Sequence, residues 1–267
     1  MKAVRQTYRK KTKAKKTVRP QVLVAVLFIA ILIVGGTYGI RLGWKWLHST
    51  PLFAVQEIKI NGINRVKKQW VLHAIDLKDG ENILGLKKED IKERILENPW
   101  IKSLKISTDF PHTLVIDIVE RRAIAFLKDR GKTYLLDSDG EIFKVAEGKE
   151  ADGLIEIEGI KASGNGDRTI KYVGTFKEFV RLVNKRGRIL CERNIKSVGF
   201  DGKSMVVTTR GSRIPLVFSL DQGLKVQFKR AESILFHLYS SGKYRHVKIV
   251  NLSVGKNMAL AFMDKRV

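Results

Sequence analysis

The chain has 267 residues, with 51 Lys and Arg against 27 Asp and Glu, so its formal net charge is +24. The 44% hydrophobic and 29% charged shares exclude a wholly disordered or collagen-like chain. With one cysteine and five scattered histidines, the chain cannot form an internal disulfide or a cysteine-rich zinc site. What remains is a basic globular protein whose charge favours acidic proteins, anionic lipid or anionic polymers.

The N-terminal segment is strongly basic, and no acidic residue comes before Glu57. Its nine cations are Lys2, Arg5, Arg9, Lys10, Lys11, Lys13, Lys15, Lys16 and Arg19. Apart from Tyr8, the segment lacks the interleaved aromatic residues typical of nucleic-acid binding, whereas a polybasic segment beside a membrane span contacts anionic lipid. We therefore predict a basic cytoplasmic tail over residues 1–20 and no nucleic-acid partner.

An uncharged, mostly apolar stretch follows the tail over residues 21–40. As a helix it would be about 30 Å long, which matches the hydrocarbon core of a bilayer. We predict a transmembrane helix over residues 21–41 and a juxtamembrane linker over 42–52. A cleaved signal peptide is the alternative, but the apolar run is long for one and no small-residue cleavage motif is evident.

Charge sets the predicted orientation of this span. Nine cations precede it and two, Arg41 and Lys45, follow closely, so the positive-inside rule places the N-terminus in the cytoplasm. Trp44 and Trp46 fit an aromatic belt at the outer interface. We predict a single-pass type II protein of the cytoplasmic (inner) membrane whose C-terminal part lies outside.

Residues 53–121 predict a small domain with the order strand, helix, helix, strand, strand. Asn61-Gly62 is a strong turn signal, and Asn98-Pro99 ends the second helix. The apolar residues that repeat with strand or helix periodicity are, in chain order, Val55, Ile58, Ile60, Trp70, Ala74, Ile75, Ile91, Ile95, Leu104, Ile106, Leu114, Ile116 and Ile118. Three strands covered by two helices bury a modest core and leave sheet edges to which another strand can pair.

Residues 122–267 predict a mostly β domain interrupted by two helices. Short apolar strands alternate with turn signals, and the helices carry apolar stripes that we expect in the core. The stripes are Phe176, Phe179, Val180 and Val183, then Leu224, Phe228, Ala231, Leu235 and Leu238. Residues 248–262 predict a terminal hairpin around Gly255-Lys256-Asn257. The fold class is therefore α+β.

An ordered series of motifs over residues 53–143 resembles the FtsQ/DivIB family of bacterial cell division proteins, which has a POTRA domain and a C-terminal β domain. The matching residues are Phe53, Val55, Ile58, Ile60, Gly62, Pro99, Trp100, Phe110, Pro111, Thr113, Leu114, Glu120, Arg121, Asp137 and Gly140. Ala123 departs from the family, which often has proline there. From 144 to 247 the resemblance rests mainly on the order of elements.

Most of these motif residues have structural explanations. Gly62 and Gly140 suit turns, and Pro99 and Pro111 end elements. We expect Trp100 in the core. Glu120 and Arg121, which leave a strand towards the next domain, are expected to form an interdomain salt-bridge site.

The resemblance implies a non-enzymatic scaffold of the divisome at the septum, with no cofactor. In the family this scaffold binds the FtsB/FtsL coiled-coil pair outside the membrane, pairs its last strand with FtsB, and links early cytoplasmic division proteins to septal wall synthesis. Residues Val250, Asn251, Leu252 and Ser253 occupy the family's Val-Asp-Leu-Arg position, so its acid and arginine are absent here.

The predicted partner-binding residues lie on the last strand. They are Val254, Lys256, Met258, Leu260 and Phe262. Strand addition gains affinity from main-chain hydrogen bonds, so it does not depend on the missing acid and arginine. The alternative is an ordinary edge strand, and the residues alone favour neither reading.

No arrangement of residues predicts catalysis or a metal site. Asp137 with Asp139 suits a hairpin turn, and Glu156 with Glu158 suits an exposed strand face. The histidines lack ligand spacing, and Gly164-Asn165-Gly166 lacks the lysine of a phosphate loop.

The sequence leaves one other function open and argues against a third. POTRA-like domains also occur in components of protein translocation and outer-membrane assembly, although tandem copies and a barrel usually accompany them there. A membrane-anchored wall hydrolase would need a nucleophile with its base or a suitable carboxylate pair.

Overall fold

The computed structural model describes residues 20–160, 170–185, 187–211, 214–253 and 260–263. It contains five helices, α1 Pro20–Ser49, α2 Lys68–Ile75, α3 Lys88–Leu96, α4 Val173–Val183 and α5 Leu224–Ser240. Its strands are β1 Glu57–Asn61, β2 Ile101–Asp109, β3 Thr113–Glu120, β4 Ala125–Asp129, β5 Lys132–Leu136, β6 Ile142–Val145, β7 Ile155–Glu158, β8 Ile195–Phe200, β9 Ser204–Thr209, β10 Pro215–Ser219, β11 Val247–Asn251 and β12 Leu260–Met263. The α+β prediction is confirmed.

Helix α1 contains the apolar segment. Within it, the segment Leu27–Leu47 is apolar and not buried, and it is long enough to cross a membrane. This helix suggests a membrane anchor. It continues through residues 42–49, so most of the segment predicted as a linker is helical. The predicted basic tail lies outside the described residues, except for Pro20.

The chain folds as two compact units. Within the described ranges, the first takes residues 20–59, 77–87 and 107–115, and the second takes 60–76, 88–106 and 116–263. In the first unit, the backbone N–H of Val55 donates to Glu81 O at 2.9 Å and that of Ile83 donates to Phe53 O at 2.7 Å. The amide of Asn82 donates to the carbonyl of Leu47 at 3.0 Å, which ties the end of α1 to this extended pair.

The POTRA-like strands form a three-stranded sheet in the order β1-β3-β2. The predicted helices are present, but Val71 and Ile75 are the buried residues of α2, while Trp70 and Ala74 are only half-buried. The guanidinium of Arg94 on α3 donates to the carbonyls of Ala74 and Ile75 at 2.8 and 2.6 Å. These bonds satisfy carbonyl groups that the end of α2 leaves without intrahelical partners.

The remaining strands form one nine-stranded sheet in the order β12-β11-β10-β9-β8-β7-β4-β5-β6. Strand β7 runs parallel to β8, and β10 runs parallel to β11. Parallel neighbours need a long crossover, and α4 and α5 lie in these two connections.

Helices α4 and α5 cover one face of this sheet, because alternate strand residues and both predicted stripes share a single buried core. The ring centroid of Phe228 lies 5.9 Å from that of Phe179 and 5.3 Å from that of Phe218. All nine residues of the two predicted stripes are buried, which confirms that prediction.

Candidate partner-binding edge

Strand β12 lies at one end of the nine-stranded sheet and pairs antiparallel with β11. Ala261 faces Val250 and Leu260 faces Asn251, so the two strands of the predicted terminal hairpin are paired as expected, while its predicted turn lies outside the described residues. Of the predicted partner-binding residues, Leu260 and Phe262 lie on this strand. Val254, Lys256 and Met258 lie outside the described residues. The partner-binding role of all five residues stays a prediction.

Strand β11 and the residue that follows it join the edge strand β12 to the buried core of the sheet. Val250 and Leu252 are fully buried, and the N–H of Leu252 donates to Val217 O on β10 at 2.8 Å. The pairing with β12 has a register shift between Val247 and Ile249. Such irregularities are common at sheet edges, where they limit unwanted strand pairing.

Asn251 has a local role that the sequence motif did not reveal. Its side-chain oxygen accepts hydrogen bonds from the backbone N–H and the hydroxyl of Ser253, at 2.9 and 2.6 Å. A short polar side chain that bonds two residues ahead shapes the chain as it leaves a strand. At the position where the family resemblance predicts an acid, an amide side chain thus organises the exit from β11.

The approach to β11 is basic. Residues 243–251 contain Lys243, Arg245 and Lys248 and no acidic residue. The Nε atom of Arg245 donates to the Tyr244 hydroxyl at 3.2 Å, which raises the pKa of the guanidinium. The Tyr244 ring lies 5.3 Å from Tyr239 of α5. This fixed positive charge favours partners with acidic residues.

A second cluster of side chains, which includes the motif residues Trp100, Arg121 and Asp137, lies at the other end of the sheet, beside β6. We call it the junction cluster, and its members are Arg65, Trp100, Arg121, Asp137 and Phe143. Trp100 is half-buried, so the prediction that it is a core residue is wrong. The Arg65 guanidinium lies 3.5 Å from the centroid of the Trp100 ring, and Phe143 of β6 lies 5.1 Å from it, edge-on. The ring thus packs between a cation and an aromatic edge.

Arg121 forms the expected salt bridges. Its guanidinium binds the carboxylates of Asp137 at 2.6 Å and Glu141 at 2.9 Å. The Asp137 side chain is 2% exposed, and its other oxygen accepts the N–H groups of Asp139 and Glu141. Asp137 is therefore the predicted turn acid and also the buried partner of Arg121.

Glu120 was expected to form an interdomain salt bridge, but its carboxylate has other partners. Its carboxylate is not paired with any cation in the part of the β domain that the structure describes. It instead accepts the backbone N–H groups of Asn64, Arg65 and Val66 at 2.8–3.1 Å. Partial burial tends to raise the pKa of this carboxyl, but the three backbone donors outweigh it and lower the pKa. The loop after β1 therefore forms an anion-binding concavity that fixes the end of β3.

Other ion pairs extend the junction cluster. Lys102 of β2 pairs with Asp139, and this hydrogen bond is the main cause that raises the pKa of Lys102 and lowers that of Asp139. Glu150 binds Arg65 at 2.9 Å and Lys144 at 2.7 Å. Burial tends to raise the pKa of Glu150, but these donors lower it overall. No single sequence motif identified Arg65, Lys144 or Glu150, because they meet only after folding.

Three of the four carboxylates considered for catalysis are held in ion pairs. Asp137 and Asp139 are engaged as described, and Glu156 binds Lys128 across the β4–β7 pair at 2.9 Å. Glu158 is exposed on the same strand. Among the described residues, no group of three or more His, Cys, Asp and Glu side chains could hold a metal ion.

Comparison with known proteins gives a consistent set of relatives. Residues 53–121 match the POTRA domain, FtsQ-type. The chain is 34% identical over 149 residues to the cell division protein FtsQ of Anaeromyxobacter sp. (strain K), covering 54% of this chain and 49% of that protein. It is 27% identical over 182 residues to FtsQ of Geotalea daltonii, covering 64% of each.

A third relative covers more of this chain. The cell division protein DivIB of Staphylococcus aureus is 26% identical over 207 residues, which is 77% of this chain and 45% of that protein. The aligned part therefore spans between about half and just under two thirds of the length of these relatives.

Proposed function

Because this chain belongs to the FtsQ/DivIB family of cell division proteins, we propose that it is a non-enzymatic scaffold of the divisome. Helix α1 anchors it in the cytoplasmic membrane with the basic tail inside and the C-terminal part outside, at the division septum. There it binds an FtsB/FtsL-like coiled-coil pair and connects early cytoplasmic division proteins to septal wall synthesis.

The position of β12 at the end of the sheet is the main support for partner binding by this strand. A strand with one neighbour leaves a row of backbone N–H and C=O groups for another strand. Partner strand addition satisfies these groups, and the alternating side chains select the partner. The basic approach to β11 adds attraction for an acidic partner segment.

Adjacent prolines on β12 test this mechanism. Opposed residues of an antiparallel pair alternate between those that exchange hydrogen bonds and those whose backbone groups point away. Of Leu260→Pro and Ala261→Pro, one variant therefore removes an N–H that faces β11 and the other removes an outward N–H. We expect the variant with the unchanged melting temperature to lose binding to the FtsB-like partner by at least about tenfold.

Val145→Pro provides a matched control at the opposite edge, on β6. It should leave partner affinity unchanged, provided that circular dichroism shows a folded protein. Wild-type affinity in both folded β12 variants would contradict strand addition. If the proline variants lose affinity only because they unfold, Leu260→Ala provides a further test. This variant keeps every backbone hydrogen-bonding group, so its affinity for the partner should fall by less than about threefold.

Reporter fusions test the orientation separately. Alkaline phosphatase fused after residue 267 should be active in cells, because that enzyme requires an oxidising compartment outside the cytoplasm. A fusion at the N-terminus should be inactive. An active N-terminal fusion with an inactive C-terminal one would reject the proposed topology, whatever β12 binds.

No observation here specifically favours the translocation alternative. A purified complex distinguishes the two classes: cross-linking in cells followed by recovery of the FtsB/FtsL-like proteins supports the division role. Recovery of translocation components without them would support the alternative.

A further inference from the structure

We propose that a groove at the C-terminal end of α4 binds an anionic group, a phosphate or a carboxylate, carried by a sugar-sized polar ligand. The groove has a volume of about 440 Å³. Pockets of this size hold small molecules, and it is far larger than a bare phosphate needs. The groove lies on the second compact unit and does not include β12 or the junction cluster.

The charges that line the groove are unbalanced. Among the lining residues that the structure describes, Arg122, Lys185 and Arg193 contribute three positive charges and Glu192 contributes one negative charge, a net charge of +2. Glu192 is already bound by Arg122. Within the described part of the chain, no carboxylate pairs with Lys185 or Arg193. Like charges held around one concavity raise its positive potential, and an anion entering it relieves their repulsion.

The neighbouring helix opposes this effect only weakly. Helix α4 ends at Val183, so the negative end of its dipole lies beside the groove. That end is equivalent to roughly half an elementary charge. The side-chain excess of two positive charges is larger, and the balance still favours an anion.

The polar lining indicates the rest of the ligand. Asn184 offers both an amide donor and a carbonyl acceptor, and Glu192 offers carboxylate oxygens. Hydroxyl groups on a sugar can use both kinds of partner, whereas an apolar peptide side chain cannot. An acidic sugar or a sugar phosphate therefore fits the groove better than an apolar peptide.

Cys191 provides a reporter inside the groove. It is the only cysteine of the chain, it lines the groove, and it is half-buried. A bound ligand should shield its thiol from iodoacetamide. Full-length protein in neutral detergent is incubated with glucose 1-phosphate, glucuronate, glucose or inorganic phosphate at constant ionic strength, and the rate of Cys191 alkylation is measured.

We expect glucose 1-phosphate or glucuronate to slow alkylation saturably, by at least about threefold, and neutral glucose to leave the rate unchanged. Lys185→Gln combined with Arg193→Gln should raise the half-saturating concentration at least about tenfold, because charge-assisted hydrogen bonds are lost. Lys132→Gln removes an exposed cation from β5, outside the groove, and should have no effect. Each rate is compared with that of the same variant without ligand.

Three results would overturn the proposal. The first is no saturable protection by either anionic sugar. The second is equal protection in the double variant, which would move the site elsewhere. The third is protection only by phosphatidylglycerol vesicles or by polyglutamate, which would replace the sugar ligand with a lipid surface or an acidic peptide. None of these results depends on β12 or on the proposed division partners.

Discussion

The two ends of the nine-stranded sheet differ in the groups available for contacts, which are side chains at one end and backbone groups at the other. At the β6 end, Trp100, Arg65 and Arg121 form contacts with aromatic and acidic side chains. At the β12 end, β11 is the neighbour of β12, and the proposed interaction uses the backbone N–H and C=O groups of β12. The family motifs are concentrated at the first end, so they indicate a fold more than a binding site. Partner binding at the second end would depend on backbone groups that nearly any sequence supplies.

Removing Arg121 should destabilise the β6 end of the sheet strongly. Arg121→Ala leaves the nearly buried carboxylate of Asp137 with Lys102 as its remaining cation, at 4.0 Å. Breaking a buried pair on one side is costly, so we expect the free energy of unfolding to fall by about 3 kcal/mol in urea titrations.

The adjacent Arg122→Ala is the control for charge and position. Arg122 is 60% exposed in its pair with Glu192, and exposed pairs contribute at most about 1 kcal/mol. Equal losses in the two variants would show that the Arg121 bridges are no more important than a surface pair. If Arg121→Ala remains folded, its affinity for the FtsB-like partner should equal that of the wild type.

A matched glycine pair separates backbone strain from close packing. Gly62 has φ +79°, and a Cβ atom there would lie 2.0 Å from the carbonyl oxygen of Ile118. Gly80 has φ +78°, with no neighbouring atom within 4 Å of such a Cβ. We expect Gly62→Ala to lower the free energy of unfolding by about 3 kcal/mol or more and Gly80→Ala to lower it by about 1 kcal/mol, measured by thermal unfolding.

Similar costs for the two glycines would contradict the close approach of β3 to the turn after β1. The comparison also tests the motif reading, since Gly62 belongs to the opening motif of the family. A larger cost at Gly62 assigns that motif glycine to packing within the POTRA domain.

Changing Glu120 should have a smaller and pH-dependent effect. Glu120→Gln replaces a carboxylate that accepts three backbone N–H groups, and at neutral pH we expect a loss of about 1 kcal/mol because the site is partly exposed. The folded pKa is lowered, so the contribution is complete above the ordinary Glu value of about 4.3 and is lost as pH falls through the folded pKa.

Urea titrations between pH 7 and pH 3 measure this difference. The wild type and Glu120→Gln should differ by a constant amount down to about pH 5 and should converge at lower pH. A difference that grows on acidification would mean that the folded state raises the pKa of Glu120, contrary to its hydrogen bonds.

Periodicity was sufficient to predict the main elements. The stripe of Phe176, Phe179, Val180 and Val183 predicted the buried face of α4, and Asn61-Gly62 predicted the end of β1. The alternating apolar residues near the C-terminus predicted the antiparallel pairing of β11 with β12. These features depend on spacing within one element or between neighbours, and spacing is visible in a sequence.

Contacts between distant segments were predicted less well. Trp100 was expected in the core because tryptophan is large and apolar, yet the ring packs against Arg65, which lies 35 positions earlier. Glu120 was expected to bind a cation, but it binds three backbone N–H groups, which no residue type specifies. In α2, helix periodicity pointed to Trp70, Ala74 and Ile75, but the buried residues are Val71 and Ile75. Such choices are settled by tertiary packing.

Amide hydrogen exchange tests the central claim most directly. Exchange across the β11–β12 hairpin is measured in the full-length protein with and without the FtsB-like partner. Strand addition predicts slower exchange at the outward N–H groups of residues 260–263, by at least about tenfold, with no change along β6. Protection confined to the junction cluster or to helix faces, with exchange in β12 unaltered, would contradict it.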